Sequence, residues 1–299
     1  MSISYQVPEN KRLRIIIDTD AACEADDPYA ISHALMCKKF EVKAIFAEHF
    51  VEDGSMEKSY EEICAILEAM EIKVPVFRGE LGKISSLANS QVSEASDYLI
   101  KEAMIEDEKP LYVLCIGAIT NIATAIRKEP EIVKKMTVIW IGGQKPGLLE
   151  TDNREYNSGN DIDAINEVIS SNVEFWQIPN NVYGSMHIGI AEIERRIRPC
   201  GKIGKHLYDL LNEYNQSEKA CWTAGESWSL GDSPAIGVAL EPNCGEYTYQ
   251  EAPIFNEDTS YRYESGRPKI RIYNSINSRF IIEDFISKLE LEYGSCFNS

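Results

Sequence analysis

Short apolar runs alternate with longer amphipathic segments from residue 13 to residue 179, and this alternation limits the possible folds more than any other feature. Buried strands are predicted at LRIIID, EVKAIFAEHF, VPVFRG, PLYVLCIG, MTVIWIGG and VEFWQIP, and helical spacing of apolar residues fills most of the segments between them. Strands that alternate with helices form a mostly parallel sheet with helices on both faces. We therefore predict an α/β fold with an open, mostly parallel sheet.

The second half of the chain is less regular. It contains a helical segment KIGKHLYDLLNEYNQ, a Trp-rich stretch CWTAGESWSLGDSPAIGVAL, a hairpin-like region between GEYTYQ and KIRIYN, and a closing helix RFIIEDFISKLELEY. No internal repeat, low-complexity tract or long linker divides the sequence. We predict that residues 1–299 form a single α/β domain with C-terminal elaborations.

An acidic stretch follows the first predicted strand, and its carboxyl groups are Asp18, Asp20, Glu24, Asp26 and Asp27. Ligands in open α/β sheets bind beyond the carboxyl ends of the strands, where this stretch lies. Carboxylates this close repel one another unless a cation lies among them, either Lys or Arg from elsewhere or a divalent metal ion. Oxygen ligands without nearby His or Cys favour Ca²⁺ or Mg²⁺ over Zn²⁺. The alternative is that these are exposed loop charges and that Asp26 and Asp27 cap the next helix.

The composition narrows the possible partners. A formal net charge of −18 argues against a nucleic acid polymer, because binding a phosphate backbone relies on neutralisation by Lys and Arg. No stretch approaches the roughly 20 apolar residues of a membrane span, and the N-terminus lacks the apolar run of a signal peptide. The eight cysteines show no CxxC spacing. We expect a cytoplasmic protein with reduced cysteines and no membrane partner.

Four segments together resemble the calcium-dependent nucleoside hydrolases of the inosine-uridine preferring type. They are DTD followed by DD, the segment LCIGAITNIATAIRKEPEIVKKMTVIWIGG, EYN with Asp161 shortly after it, and GDSPAIGVALEP. They occur in the family's order and span most of the chain, so the sequence is identified as a divergent member.

The resemblance implies a nucleoside hydrolase-like fold with a Rossmann-like core, and hydrolysis of the N-glycosidic bond of ribonucleosides by a calcium-bound water. It implies Ca²⁺ rather than Mg²⁺, a small nucleoside substrate and a homodimer or homotetramer. The implied metal ligands are Asp20, Asp27, the backbone carbonyl of Ile116, and Asp232. Asp20 would also accept the proton of the water, and the implied ribose-binding residues are Asp26, Glu155 and Asn157.

The sequence also departs from the family pattern. Six residues separate Asp20 from Asp27, a longer spacing than usual, which makes Glu24 an extra candidate for the site. Gly231 stands where many members have a histidine that helps the base to leave. We predict that His49 replaces this acid, with Tyr183 and His187 as weaker candidates, and that Trp228 stacks on the base.

Several alternatives stay open at this point. Asp232 could simply cap the helix of PAIGVAL, and Thr120 and Asn121 are expected to cap the helix that they open. IIIDTD also fits the start of a haloacid dehalogenase-type, Mg²⁺-dependent phosphohydrolase, although that class needs a later lysine and a pair of aspartates. A third possibility is a non-catalytic protein that binds ribosyl groups or nucleosides.

Overall fold

The structure, a computed structural model, describes residues 3–86 and 92–294. The strands are β1 (Leu13–Thr19), β2 (Phe40–Ala47), β3 (Val76–Arg78), β4 (Leu111–Cys115), β5 (Met136–Ile141), β6 (Glu174–Ile178), β7 (His187–Gly189), β8 (Ser227–Ser229), β9 (Gly245–Glu251), β10 (Ile254–Phe255), β11 (Tyr261–Arg262) and β12 (Lys269–Ile276). Within these described residues, no helix is both long enough and apolar enough to cross a bilayer.

The α-helices are α1 (Asp27–Met36), α2 (Ser55–Met70), α3 (Glu94–Ala103), α4 (Thr120–Lys128), α5 (Tyr156–Asn160), α6 (Ile162–Ser170), α7 (Asn180–Tyr183), α8 (Ile190–Glu192), α9 (Gly201–Asn215), α10 (Ser233–Leu240) and α11 (Ser278–Tyr293). Short 3₁₀ helices cover Glu9–Lys11, Ile84–Ser86, Pro130–Lys134 and Glu218–Ala220, and a π-helix covers Ile193–Ile197. The spacing of apolar residues in SQVSEASDYLIKEAMIED predicts a helix that includes α3, and the first two residues of this segment, 90 and 91, lie outside the described residues.

Eight strands form one sheet in the order β3-β2-β1-β4-β5-β6-β12-β9. All neighbours pair in parallel except β12 and β9, which are antiparallel. The predicted open, mostly parallel sheet is therefore confirmed, and the hairpin-like region supplies its antiparallel edge. The strand order reverses between β1 and β4, and this is the point at which doubly wound sheets bind ligands.

Helices cover both faces of the sheet, and alternate residues of each strand pack on opposite faces. Ile15 and Ile17 of β1 belong to one apolar cluster, whereas Ile16 between them belongs to the other. All three side chains are fully buried, which explains why β1 has an unbroken apolar run rather than alternating polar residues. That β1 is buried on both faces places the acidic residues at its end against the protein interior. The prediction of one domain over residues 1–299 stays a prediction.

Candidate active site

The loop between β1 and α1 carries buried carboxylates at the carboxyl edge of the sheet. Asp20 follows β1 directly, and Asp27 is the first residue of α1. Both side chains are 2% exposed, and Asp26 between them is 9% exposed. Asp26 occupies the N-cap position of α1 but makes no capping hydrogen bond to the helix, so capping does not account for its burial. The loop therefore turns its acids inward instead of presenting them to solvent.

Asp232 joins this loop from the far half of the chain. The carboxylate of Asp26 accepts hydrogen bonds from the backbone N–H groups of Gly231 and Asp232. The carboxyl groups of Asp27 and Asp232 lie close enough together that each shifts the pKa of the other. Oxygens of Asp26, Asp27 and Asp232 lie within 4.8 Å of one another, close enough to bind one metal ion. Asp232 makes no capping bond to α10, so capping does not explain its position.

These residues line a cavity that is open to solvent. Its lining residues are Asp20, Cys23, Glu24, Asp26, Asp27, Ile116, Ile141, Glu155, Tyr156, Asn157, Tyr183, Gly231 and Asp232. Seven of the nine residues predicted to form the site are among them. Six of the lining residues carry carboxyl groups and none is Lys, Arg or His, as far as the described residues show. The arginine or lysine that could have neutralised the acids from within the chain is absent from this lining.

Burial without a counter-charge disfavours ionisation of these carboxyl groups. Burial raises the pKa of Asp27 to about 8, with the charge of Asp26 adding to the effect. Burial likewise raises the pKa of Glu24 to about 8 and that of Asp26 to about 6. The pKa values of Asp20 and Asp232 also lie well above the usual range, again mainly because of burial. A bound cation would reverse these shifts.

The oxygen atoms available in the cavity fit a divalent cation. Oδ2 of Asp20 is buried without any hydrogen-bond partner, which is costly for a carboxylate unless a ligand satisfies it. The space beside Asp20 is preserved by Gly117, because a Cβ there would lie 2.9 Å from Oδ1 of Asp20. All candidate donors are oxygens, the ligands that Ca²⁺ and Mg²⁺ prefer.

Asn157 and Glu155, which are predicted to bind ribose, already form hydrogen bonds within the protein. Nδ2 of Asn157 donates to the backbone carbonyls of Ile116 (3.3 Å) and Ile141 (3.0 Å), which fixes the amide at the ends of β4 and β5. Glu155 lines the cavity, but protein donors already occupy both of its carboxylate oxygens. They are the Tyr183 hydroxyl at 2.9 Å, the backbone N–H groups of Gly143, Asn157 and Ser158, and the Ser158 hydroxyl. Glu155 therefore orders the start of α5 in addition to facing the cavity.

The structure places His49 and Trp228 outside the cavity lining. His49 follows β2 at the expected edge, but its side chain is buried and its Nε2 lies 2.8 Å from Oγ1 of Thr120. Burial lowers the pKa of His49 to about 4, which makes its imidazole neutral at pH 7. Trp228 is 1% exposed and packs on Tyr214 and Trp222, so its ring belongs to the core and offers no face to a base.

Two residues behind the cavity have roles that the sequence did not reveal. Thr120 and Asn121 were expected to cap α4, but the N-cap position is Ile119 and no side chain caps the helix. Thr120 donates instead to Asp161, at 2.8 Å. Nδ2 of Asn121 donates to Oδ1 of Asp18 at 2.8 Å, so Asn121 holds the end of β1 from behind. These contacts are long-range, and no local signal indicates them.

Tyr156 is a further lining residue that was not singled out from the sequence, although it lies between Glu155 and Asn157. Its side chain is 42% exposed. Its hydroxyl is hydrogen-bonded to the thiol of Cys23. Adjacency to two predicted site residues was the only available signal.

Comparison with known proteins identifies a family match and two similar enzymes with related activities. Residues 15–279 match the family of inosine-uridine preferring nucleoside hydrolases. The pyrimidine-specific ribonucleoside hydrolase RihA of Salmonella paratyphi A is 27% identical over 287 residues, covering 87% of this chain and 89% of the relative. The non-specific ribonucleoside hydrolase RihC of Klebsiella pneumoniae (strain 342) is 25% identical over 225 residues, covering 68% and 72%.

A solved structure agrees on the fold. The purine-preferring ribonucleoside hydrolase from Gardnerella vaginalis superposes with a TM-score of 0.79 at 18% sequence identity. The match covers 94% of this chain and 99% of the other.

Proposed function

The chain belongs to the inosine-uridine preferring nucleoside hydrolase family, and on that premise we propose that it hydrolyses the N-glycosidic bond of ribonucleosides to free base and ribose. The observation that carries this proposal is the meeting of Asp26, Asp27 and Asp232, drawn from both ends of the chain, in one cavity at the strand-order reversal. The two curated relatives described above are both ribonucleoside hydrolases.

The chemistry of the reaction suits this cavity. When an N-glycosidic bond breaks, positive charge develops on the ribose as the base departs. Carboxylates that are already in place stabilise this developing charge more than the neutral ground state, and this difference lowers the barrier.

We assign the metal ligands as Asp20, Asp27, Asp232 and the carbonyl of Ile116, with Asp26 near enough to contribute. A divalent ion bound there would supply positive charge for the carboxylates and lower the pKa of a water molecule. We assign to it Ca²⁺, which accepts six to eight oxygen ligands in flexible geometry, whereas Mg²⁺ demands a near-ideal octahedron.

Asp20 is assigned as the base that accepts a proton from the attacking water, since its Oδ2 has no protein partner. Asp26 and Asn157 would hold ribose hydroxyls and thereby orient C1′. Glu155 would do so only through lone pairs that its protein donors leave free. The proposal leaves out His49 and Trp228 because their side chains lie outside the cavity lining.

Two further assignments accompany the activity. We propose a homodimer or homotetramer, as the family resemblance implies, and light scattering during size-exclusion chromatography would measure it. We also propose a cytoplasmic location, which the seven free cysteines among the described residues support.

The test is release of base from inosine and uridine by the purified full chain with CaCl₂. Activity should be lost with EDTA and in Asp20→Ala, and retained in Asp163→Ala, which removes an exposed carboxylate outside the cavity. Nucleoside binding without base release would instead favour the non-catalytic binding protein. Phosphate release from p-nitrophenyl phosphate with Mg²⁺ would favour the phosphohydrolase, although no lysine lines the described cavity to serve it.

A further inference from the structure

Glu24 has no hydrogen-bond partner among the described residues, a feature that it shares only in part with Asp20, whose Oδ2 is also unpartnered. Glu24 lines the cavity, yet within the described part of the chain no backbone or side-chain group donates a hydrogen bond to it. Glu155, the other glutamate of the lining, is held by several donors. A partly buried carboxylate that the protein itself does not satisfy is available to a ligand.

Aromatic residues share the cavity lining with Glu24, and none of the lining residues that the structure describes is Lys, Arg or His. Tyr156 and Tyr183 line the cavity, and Tyr156 is half-exposed there. A carboxylate beside aromatic rings is the arrangement by which proteins bind organic cations.

The charge of the cavity points in the same direction. Six carboxyl groups line it, and one divalent ion offsets only two negative charges. The unpartnered Oδ2 of Asp20 is a second sign that the described residues do not complete the site. A substrate that brings a positive charge of its own would reduce the remaining repulsion.

From these observations, and resting on the proposed function, we infer that the site is selective for ribonucleosides whose heteroaromatic base carries a positive charge, and that Glu24 recognises that charge. Glu24 acts as a specificity-determining residue, and the aromatic rings beside it contact the base. The substrate class comprises N-ribosides of quaternised pyridines and N-alkylated purines.

The bond changes of such a substrate balance without a proton donor. The bond from C1′ to the ring nitrogen breaks, both electrons move to that nitrogen, and the base leaves as a neutral molecule. The water oxygen forms the new bond to C1′, and its proton passes to Asp20. A neutral base would leave as an anion unless it were protonated, and the lining hydroxyls and thiol, from Tyr156, Tyr183 and Cys23, are weak acids at neutral pH.

A rival role for Glu24 makes the opposite prediction. If Glu24 protonated a neutral base, then Glu24→Gln would slow hydrolysis of neutral nucleosides, mainly in kcat, and would spare cationic ones. If Glu24 recognises charge, the same substitution weakens binding of cationic nucleosides, mainly in KM, and spares neutral ones.

The experiment compares matched substrates with the calcium-loaded full chain. 7-Methylguanosine and guanosine, at about pH 6, differ in a methyl group and in charge, and nicotinamide riboside is compared with inosine. We expect kcat/KM to be about tenfold or more higher for the cationic nucleoside of each pair than for the neutral one. Glu24→Gln should lower this ratio by about tenfold, through a higher KM for the cationic nucleoside. Glu226→Gln, which removes an exposed carboxylate outside the cavity lining, should leave the selectivity unchanged.

Three results would overturn the inference: preference for the neutral nucleosides, a Glu24→Gln effect confined to neutral substrates, or equal effects of Glu24→Gln and Glu226→Gln. If no riboside is cleaved, the proposed function fails instead. Calorimetric binding of nicotinamide riboside and inosine then decides the inference separately, because equal affinities in the wild type would contradict it.

Discussion

At the scale of single residues, the cavity holds carboxyl groups whose ionisation depends on what is bound beside them. Asp26 and Asp27 have pKa values raised to about 6 and about 8, mainly by burial. An acid whose pKa is higher in the folded than in the unfolded protein favours folding at low pH. That contribution declines as the pH rises from the unfolded pKa, near 4, through the folded pKa. The metal-free protein should therefore lose stability over this range.

Calcium should offset this loss, so its stabilising effect should increase with pH. Metal binding competes with protons for the same oxygens. When the calcium concentration is 100 times Kd, binding raises the unfolding free energy by about 2.7 kcal/mol, which corresponds to roughly 5 °C in Tm for a chain of this size. We expect the gain in Tm from CaCl₂ over EDTA to be larger at about pH 8 than at about pH 5, measured by differential scanning fluorimetry.

Asp232→Asn should abolish most of this gain, whereas Asp163→Asn should keep it. A gain that is equal at the two pH values, or larger at the lower one, would contradict the assignment of these carboxylates as metal ligands.

The residues of the site were predictable to different degrees. The charge density after β1 is a local signal, and it correctly indicates a carboxylate cluster in the cavity. That Asp232 reaches Asp27, some 200 positions away, could come only from the family resemblance, because no local pattern encodes it. The environment of His49 could not be predicted either: its place after β2 is evident, but the direction of its side chain depends on contacts with Thr120.

At the scale of elements, Asn121 connects three strand ends. Its Nδ2 donates to Asp18 near the end of β1 and to the carbonyl of Ala47 (3.3 Å) in β2, and its Oδ1 accepts from the backbone N–H of Glu80 (2.7 Å) after β3. Asn121→Ala would leave these buried groups unpaired. We expect a loss of about 3 kcal/mol in unfolding free energy, measured by urea denaturation.

Asn243→Ala is the matched control, because Asn243 is exposed and should change stability by less than about 0.5 kcal/mol. A loss for Asn121→Ala no larger than the control's would mean that the strand ends are held by other contacts.

Helices α2 and α9 are linked by a pH-sensitive pair. Nε2 of His206 lies 2.7 Å from Oε1 of Glu62, and this hydrogen bond raises the pKa of His206. The pair therefore stabilises the fold fully below pH of about 6.5, and the contribution is lost as the pH rises through the higher folded pKa. We expect Glu62→Gln to destabilise the protein by up to about 1 kcal/mol at about pH 5.5 and by much less at about pH 8.5.

Urea denaturation at both pH values measures this effect. Glu61→Gln removes an exposed charge from the same helix and should show no such pH dependence. A Glu62→Gln effect that is constant with pH would show that the pair does not act through protonation of His206.

Long elements with clear periodicity were predictable, and short ones were not. The amphipathic pattern of SMEKSYEEICAILEAM predicts a helix and corresponds to α2, Ser55–Met70. Pro130, which cannot continue a helix, follows the end of α4 and begins a 3₁₀ helix. The pair β7–β8 was missed, because strands of three residues have too few alternations to be recognised. Their pairing depends on tertiary contacts that place Trp228 in the core.

At the scale of the whole molecule, the cavity joins segments that are remote in sequence. The β1–α1 loop, the end of β4, the start of α5 and the start of α10 all contribute lining residues. A metal ion bound by Asp27 and Asp232 would therefore tie the first tenth of the chain to its last quarter.

We expect calcium to slow backbone hydrogen exchange in residues 20–27 and 231–235 together, as measured by mass spectrometry, because local opening of either segment would release the ion. Asp232→Asn should remove the protection from both segments, and Asp163→Asn from neither. Protection of only one segment would show that the ion does not bridge the two halves of the chain.

The overall architecture followed from the alternation of strands and helices, whereas the position of the final strand did not. β12 inserts between β6 and β9 and so extends a parallel sheet with an antiparallel edge. The sequence indicated the hairpin, but which strand it would join depends on packing around Trp176 and Tyr273, which are in contact across β6 and β12.

The lack of a side chain at Gly231 has a consequence for engineering this protein. Even a methyl group at that position would lie 3.2 Å from Oδ2 of Asp26 and 3.3 Å from Cδ2 of Tyr183. Grafting an imidazole there is thus a two-site redesign, in which the phenol ring must first be trimmed. Trimming it would also remove the Tyr183 hydroxyl from Oε1 of Glu155, which would still accept from the backbone N–H of Asn157, so a new proton donor would arrive with a partly released sugar contact.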